Sequence, residues 1–250
     1  MEAIVAALAE QHGELNGLLS GLEESDWQRR SRCEGWTVAD VVLHLAQTDG
    51  LAIASAGGRF AEAVGELAGG LAAASVDDGA AQMVARERGQ PPKALLARWR
   101  TGADTLAKLL GACDPHQRVV WVAGELSART LATTRLAETW IHTGDVAAAF
   151  GPSPVSTDRL WHVARLAWRT LSYAFERAGR ALAGPVRFEL TAPSGESWDF
   201  APESEPLTTI RGDAVELCLV AARRVEPEDT GLRGEGPDAG AVLELVRTYA

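Results

Sequence analysis

A glutamate and two histidines are the residues of this 250-residue chain whose types and spacing best fit metal chemistry. Glu138 and His142 are four residues apart in a stretch with helical spacing, so both side chains project from one helix face. His44 lies in an earlier segment and can supply a third ligand from another helix. Two imidazoles and one carboxylate leave coordination positions open, which is typical of catalytic zinc and also suits non-haem iron(II). Taken alone, the pair also fits an ordinary surface pair on a helix.

Asp145 lies one further turn along the face that carries Glu138 and His142. Its carboxylate is predicted either to hydrogen-bond a metal-bound histidine or to contribute only to helix packing. The remaining histidines, His12, His116 and His162, have no partners at ligand spacing, and we predict that they are surface or packing residues.

The first 150 residues show helical periodicity, and local signals predict where each helix begins. Thr37 and Asp40 form a T-x-x-D capping box, which places a helix start at about Val38 and His44 in its second turn. Ser127 is predicted to cap the helix that carries Glu138 and to be followed by helix up to about Gly151.

Two further long helices complete this half, one near the N-terminus and one starting near Lys93 after two prolines. The stretch 57–79 is rich in Ala, Gly and Asp and is interpreted as a helix end and a loop. Four long helices with long connections predict a four-helix bundle, with no strand before residue 150.

The second half begins with a predicted fifth helix, capped by Ser156 and ending at Gly184. After Pro185 the period changes to alternation, which predicts a hairpin over 186–202 and a third strand over 207–212. A helix starting at Asp213, then a last strand and a last helix, complete a small α+β tail. We therefore predict an α+β chain with two domains, 1–151 as the metal-binding bundle and 152–250 as the linker helix and tail.

Composition excludes several classes of function. A net charge of −10 argues against nucleic-acid binding, which needs a basic footprint, and against docking on anionic lipid. No apolar run is long enough for a membrane span, and the N-terminus lacks the basic region of a signal peptide. Three widely spaced cysteines fit a reducing cytoplasm, and Cys33, before the His44 helix, fits loop packing better than a reactive thiol.

Two segments carry a resemblance to a known family. The stretch CEGWTVADVVLHLAQTD, with RLAETWIHTGDVAAAFG about 90 residues later, resembles the mycothiol-dependent maleylpyruvate isomerase family of the DinB-like metalloenzyme superfamily. The resemblance covers nearly the whole chain. It implies an N-terminal DinB-like four-helix bundle whose metal is held at the positions of His44, Glu138 and His142.

The resemblance extends to the tail, where GDAVELCLVAARR matches a helix motif that ends Gly-Arg in the family. This chain has Arg223-Arg224 instead, and alignment from Gly212 places Arg224 on the family's arginine. That residue is expected to bind a substrate carboxylate, for which a guanidinium offers paired donors. The other interpretation is a solvated cation at a helix end.

Three functional hypotheses follow. The first is a metal-dependent enzyme with mycothiol as co-substrate or cofactor, either an S-transferase or a cis–trans isomerase, acting on a small electrophilic substrate; zinc is the favoured metal. The second is a hydrolase that uses a metal-bound water without a thiol. The third is a non-catalytic protein that binds metal or a small ligand. We also expect the active cleft to lie between the two domains.

Overall fold

The structure, a computed structural model, describes residues 1–70, 72–122, 124–151 and 154–248. It divides into two compact units, Met1–Pro154 and Val155–Ala250. The described part is mainly helical with small sheets, which confirms the predicted α+β class.

The first unit is built on four long helices that pack against one another around an apolar core. Leu15, Val41, Leu45 and Trp99 are among the buried side chains of that core. In chain order the helices are α1 Glu2–Ser20, α2 Val38–Ala56, α3 Phe60–Ala68, α4 Val76–Glu87, α5 Pro92–Ala112 and α6 Ala128–Ala147, of which α1, α2, α5 and α6 form the bundle.

The start of α2 is fixed by the predicted capping box. The backbone N–H of Asp40 donates to Thr37 Oγ1 over 3.2 Å, and the Thr37 N–H donates back to Asp40 Oδ2 over 2.9 Å. Two of the N–H groups that lack partners at a helix start are thereby satisfied. Ser127 also caps α6, with its hydroxyl oxygen accepting from the Thr130 N–H over 3.1 Å. Both predicted starts are confirmed.

The predicted loop over 57–79 is wrong, because α3 and the start of α4 lie there. The segment FAEAVGELA consists mostly of good helix formers, and Gly69, at φ +58°, ends it in the left-handed region. Ser75 caps α4 by accepting from the Asp78 N–H over 3.0 Å, a signal that the sequence interpretation missed. Residue 71 lies outside the described residues.

The expectation that no strand precedes residue 150 is also wrong. A hairpin of β1 Arg118–Trp121 and β2 Gly124–Ser127 connects α5 to α6. The β1 sequence RVVW is rich in β-branched and aromatic residues, which favour strands. The predicted end of the last bundle helix at Gly151 is too late, since α6 ends at Ala147 and residue 152 is outside the described part.

The second unit pairs helices with one four-stranded sheet. Its order is β4-β3-β5-β6, with β3 parallel to β5 and the other pairs antiparallel. The elements are α7 Leu160–Arg169, α8 Leu171–Arg177, β3 Val186–Thr191, β4 Ser197–Phe200, β5 Thr208–Asp213, α9 Ala214–Ala221, β6 Arg233–Glu235 and α10 Ala239–Leu245. The structure confirms the predicted hairpin, third strand, last strand and tail helices. The last helix ends at Leu245, before its predicted end at residue 249, which is outside the described part.

The single long helix predicted from Ser156 to Gly184 is wrong. Ser156 caps nothing, because α7 begins at Leu160 after Arg159. Thr170 then separates α7 from α8, with its hydroxyl donating to the Leu166 carbonyl over 2.8 Å. A hydroxyl that donates to the carbonyl four residues earlier competes with regular helical geometry. The spacing of apolar residues does not show this competition, so the sequence pattern does not predict the break.

The core of the second unit includes a buried thiol. Cys218 on α9 is fully buried, and burial raises the pKa of this thiol.

The start of α9 is confirmed, since Asp213 Oδ1 accepts from the N–H groups of Val215 and Glu216. Among the described residues, no helix of either unit is long and apolar enough to cross a membrane.

Candidate metal centre

Helices α2 and α6 bring the three predicted ligand residues to one point inside the first unit. His44 Nε2 lies 3.5 Å from Glu138 Oε2, and His142 Nε2 lies 3.6 Å from the same oxygen. The ligand atoms of the three residues all lie within 4.8 Å of one another. Because a tetrahedral ion with bonds of about 2.0–2.2 Å holds its ligand atoms about 3.4 Å apart, these separations fit one small divalent metal.

The hydrogen bonding of His44 supports that fit. Its side chain is 11% exposed, and its Nδ1 is buried with no hydrogen-bond partner among the described residues. Its Nε2 faces Glu138 Oε2, and the ring centroid of His142 lies 5.0 Å from that of His44. A buried imidazole without good hydrogen bonds is uncommon in native structures and is explained by a further partner such as a metal ion.

His142 is oriented through its other ring nitrogen. Nδ1 lies 2.9 Å from Asp145 Oδ2, and the Cys33 thiol lies 3.2 Å from that same carboxylate oxygen. Cys33 Sγ is also 3.8 Å from His142 Nδ1. A carboxylate behind a ligating histidine fixes the tautomer and raises the basicity of the ligand, which is a common arrangement in metal sites.

A buried ion pair lies about one turn from His44 on α2 and about one turn from Glu138 on α6. Arg135 on α6 and Asp49 on α2 are 1% and 0% exposed, and Arg135 Nε lies 3.1 Å from Asp49 Oδ1. Arg135 Nη2 also donates to Thr48 Oγ1 over 2.9 Å. Arg135 Nη1 lies 4.0 Å from Glu138 Oε2, near enough for charge attraction and too far for a hydrogen bond.

The surroundings shift the pKa values of the two histidines in opposite directions. Burial lowers the pKa of His44 and outweighs its contact with Glu138. Burial would lower the pKa of His142 too, but hydrogen bonds to Asp145, Cys33 and Glu138 outweigh it and raise that pKa well above its ordinary value. For Glu138, burial favours the neutral acid, yet the two histidines and Arg135 prevail and lower its pKa. Glu138 is therefore ionised, and its carboxylate faces both imidazoles.

Arg224 belongs to the second unit. It follows α9, and its Nη1 donates to the Ala222 carbonyl over 2.9 Å. The preceding Arg223 adopts φ +58° and is the only described non-glycine residue with positive φ. The Arg223 N–H donates to Val220 O and the Arg224 N–H to Leu219 O, which is the Schellman motif that usually places glycine at the left-handed position.

The cluster holds two features that the sequence pattern does not indicate. Cys33 packs its loop against the core as predicted, and its thiol also contacts Asp145 and lies near His142. Arg135 is not among the predicted site residues, although a cation three residues before Glu138 on the same helix lies near the face of the predicted ligands. Of the other histidines, His12 packs edge-on against Trp99 with ring centroids 5.9 Å apart, and His116 is exposed.

Comparison with known proteins places the chain in a family. Residues 8–147 match the family described as "Mycothiol maleylpyruvate isomerase N-terminal domain", and the chain belongs to that family. Two uncharacterised proteins, from two strains of Mycobacterium tuberculosis, are each 32% identical to it over 249 residues, covering 98% of this chain and 95% of theirs.

Solved structures agree on the fold. A crystal structure of the mycothiol-dependent maleylpyruvate isomerase matches with a TM-score of 0.61 at 18% identity, over 95% of each chain. A histidine-to-alanine mutant of the isomerase matches with a TM-score of 0.60 at the same identity and coverage. The fold of this chain is therefore the DinB-like maleylpyruvate isomerase fold.

Proposed function

We propose that this chain is an enzyme that holds one divalent metal ion, zinc in our assignment, and uses mycothiol to act on a small electrophilic substrate. The ligands would be His44, Glu138 and His142. The observation that carries the proposal is the convergence of both histidine Nε2 atoms on one oxygen of Glu138. Family membership supports the thiol, because the family's description names mycothiol together with maleylpyruvate isomerase.

The residues of the chain would prepare this site for a metal. Asp145 Oδ2 accepts a hydrogen bond from the Nδ1–H of His142, so a metal that displaces the Nε2 proton would meet a lone pair directed to the ligand position. Burial lowers the pKa of His44, which keeps that imidazole neutral and able to ligate. Glu138 contributes one negative charge, so two neutral ligands and one anion leave a bound dication with net positive charge.

A divalent metal, when bound there, would favour the deprotonated form of a thiol that coordinates it. The thiolate sulfur is the nucleophile in both reactions that we consider. In cis–trans isomerisation, the thiolate sulfur bonds to one alkene carbon as the C=C π pair moves onto the substrate's electron-withdrawing group. The resulting single bond rotates, the electron pair returns to form the double bond, and the C–S bond breaks to release the thiolate unchanged. In S-transfer, the C–S bond persists, a leaving group departs, and one thiol is consumed per turnover. We favour isomerisation, because that is the activity in the family's description.

We also propose that Arg224 binds a carboxylate of the substrate or of the thiol. Support comes from its alignment with the arginine of the family motif and from the preference of guanidinium groups for carboxylates.

The test is turnover of maleylpyruvate by zinc-loaded protein with and without mycothiol, with the thiol measured before and after. Isomerisation that requires mycothiol and does not consume it supports the proposal. Conversion that consumes one thiol per product supports S-transfer. Turnover that is independent of thiol would favour hydrolysis and overturn the thiol part of the proposal.

The matched control is His142→Ala compared with His116→Ala, since His116 is exposed and outside the cluster. His142→Ala should lose both metal and turnover, whereas His116→Ala should keep both. Full turnover in His142→Ala would overturn the ligand assignment.

A further inference from the structure

Arg135 is a charged side chain enclosed in the core of the first unit. A buried guanidinium is costly unless its donors and its charge are matched. Here Nε and Nη2 both lie 3.1 Å from Asp49 Oδ1, and Nη2 donates to Thr48 Oγ1 over 2.9 Å. Asp49 in turn is fully buried, so the two charges have been removed from water together.

This pair joins the two helices that carry the proposed ligands. Thr48 and Asp49 come four and five residues after His44 on α2, and Arg135 comes three residues before Glu138 on α6. The Thr48 hydroxyl accepts from Arg135 and donates to the His44 carbonyl over 2.9 Å. A continuous path of hydrogen bonds therefore runs from the turn before Glu138 to the backbone of His44.

The third nitrogen of Arg135 acts on Glu138 by charge alone. Nη1 lies 4.0 Å from Glu138 Oε2 and is not hydrogen-bonded to it. A hydrogen bond would occupy a lone pair that a metal needs, whereas attraction over 4.0 Å leaves the oxygen available. The cation thus offsets the carboxylate's charge without competing for coordination.

Stability alone does not explain the pair. Replacing a buried ion pair with well-packed apolar residues is often neutral or stabilising. Moreover, Asp49 Oδ2 is buried without a hydrogen-bond partner among the described residues, so the pair is not optimised for folding. Its position, within about one turn of a ligand on each helix, fits a role in the site.

We infer that Arg135, held by Asp49, is a positioning residue that sets the separation of His44 and Glu138 and balances the charge of the Glu138 carboxylate. The inference deepens the proposed function and rests on it, since it needs a metal at these residues. It concerns the affinity and the geometry of the metal, and Arg135 itself touches neither the metal nor the substrate.

The experiment uses cobalt(II) as the probe, because its visible absorption reports ligand geometry as well as binding. The test variant, Arg135→Met with Asp49→Leu, removes both charges and leaves neither one unpaired. The matched control is Arg98→Met, which breaks the 2.7 Å Arg98–Glu87 ion pair of the same unit, neither residue of which contacts Glu138 in an ion pair. Circular dichroism checks the fold of every variant.

We expect the double variant to bind cobalt(II) at least tenfold more weakly than the natural chain, with altered visible bands, and Arg98→Met to match the natural chain. A folded double variant with unchanged affinity and spectrum overturns this inference and leaves the proposed function intact. A natural chain that binds no cobalt(II) overturns both.

If the double variant does not fold, the single variants Arg135→Lys and Asp49→Asn test the positioning role instead. Each keeps side-chain size and some hydrogen bonding while removing the guanidinium fork or the anion. Altered cobalt(II) bands in both, with folded protein, support the positioning role. Natural bands and natural affinity in both overturn it.

Discussion

Asp145 Oδ2 lies 2.9 Å from His142 Nδ1, three residues away on α6, so the imidazole presents its Nε2 to Glu138. The same oxygen is 3.2 Å from the Cys33 thiol, which comes from the loop before α2. Asp145 therefore ties the helix of two proposed ligands to the loop that precedes the third.

Removing either histidine should abolish metal binding. Elemental analysis of the natural chain should give about one zinc per chain, and both His44→Ala and His142→Ala should retain almost none. The reason is that a three-ligand site reduced to two has lost a large part of its coordination energy. Full occupancy in both variants would show that the metal lies elsewhere, and exposed His116→Ala serves as the control.

Asp145→Asn should weaken the affinity for zinc without unfolding the protein. The amide can still contact Nδ1, but it no longer carries the charge that raises the basicity of His142. Loss of such an outer carboxylate typically costs about 10–100-fold in metal affinity. Competition with a chelator of known affinity measures the change. Asp77→Asn, at an exposed position, should bind zinc as the natural chain does.

Arg224→Ala should reduce the apparent affinity for substrate and leave the zinc content unchanged. A hydrogen bond to a charged group is worth about 1.5–3 kcal/mol, which corresponds to a roughly ten- to hundredfold rise in KM. Steady-state kinetics with maleylpyruvate measures it. An unaltered KM would place carboxylate binding at another residue. Arg233→Ala, at an exposed position of β6 in the same unit, is the matched control.

Arg223→Gly should stabilise the protein. A non-glycine residue at φ +58° costs about 1–2 kcal/mol relative to the right-handed region, and glycine avoids most of that cost. A gain of about 1 kcal/mol corresponds to a rise of about 2–4 °C in melting temperature for a protein of this size. Arg223→Ala is the control, since it removes the side chain but keeps the strained backbone, and it should show no such rise.

The parts of the fold that follow from neighbouring residues could be predicted from sequence. The caps at Thr37, Ser127 and Asp213 are each formed with residues two or three positions away, so their signals are local. The alternation after Pro185 likewise gives the β3–β4 hairpin directly. The break at Thr170 was not predicted, because apolar spacing continues through it.

The candidate site was only partly predictable for the same reason. Glu138 and His142 are four residues apart, so helix geometry alone puts them together. Pairing His44 with them depended on the family resemblance. The Arg135–Asp49 pair spans 86 residues of sequence, and the Cys33–Asp145 contact spans 112, so no local pattern indicates either one. The domain limits, 1–151 and 152–250, stay a prediction.

Because Cys218 is buried, the rate at which its thiol is alkylated measures the opening of the second unit. A thiol with no exposure and a raised pKa reacts with an alkylating reagent only after the structure around it opens. Cys33 and Cys113 are partly exposed and lie in the first unit, so they should label early. The rate of the third label then reports how often the second unit opens. Comparing that rate with and without zinc would reveal whether metal binding in one unit is energetically coupled to the other.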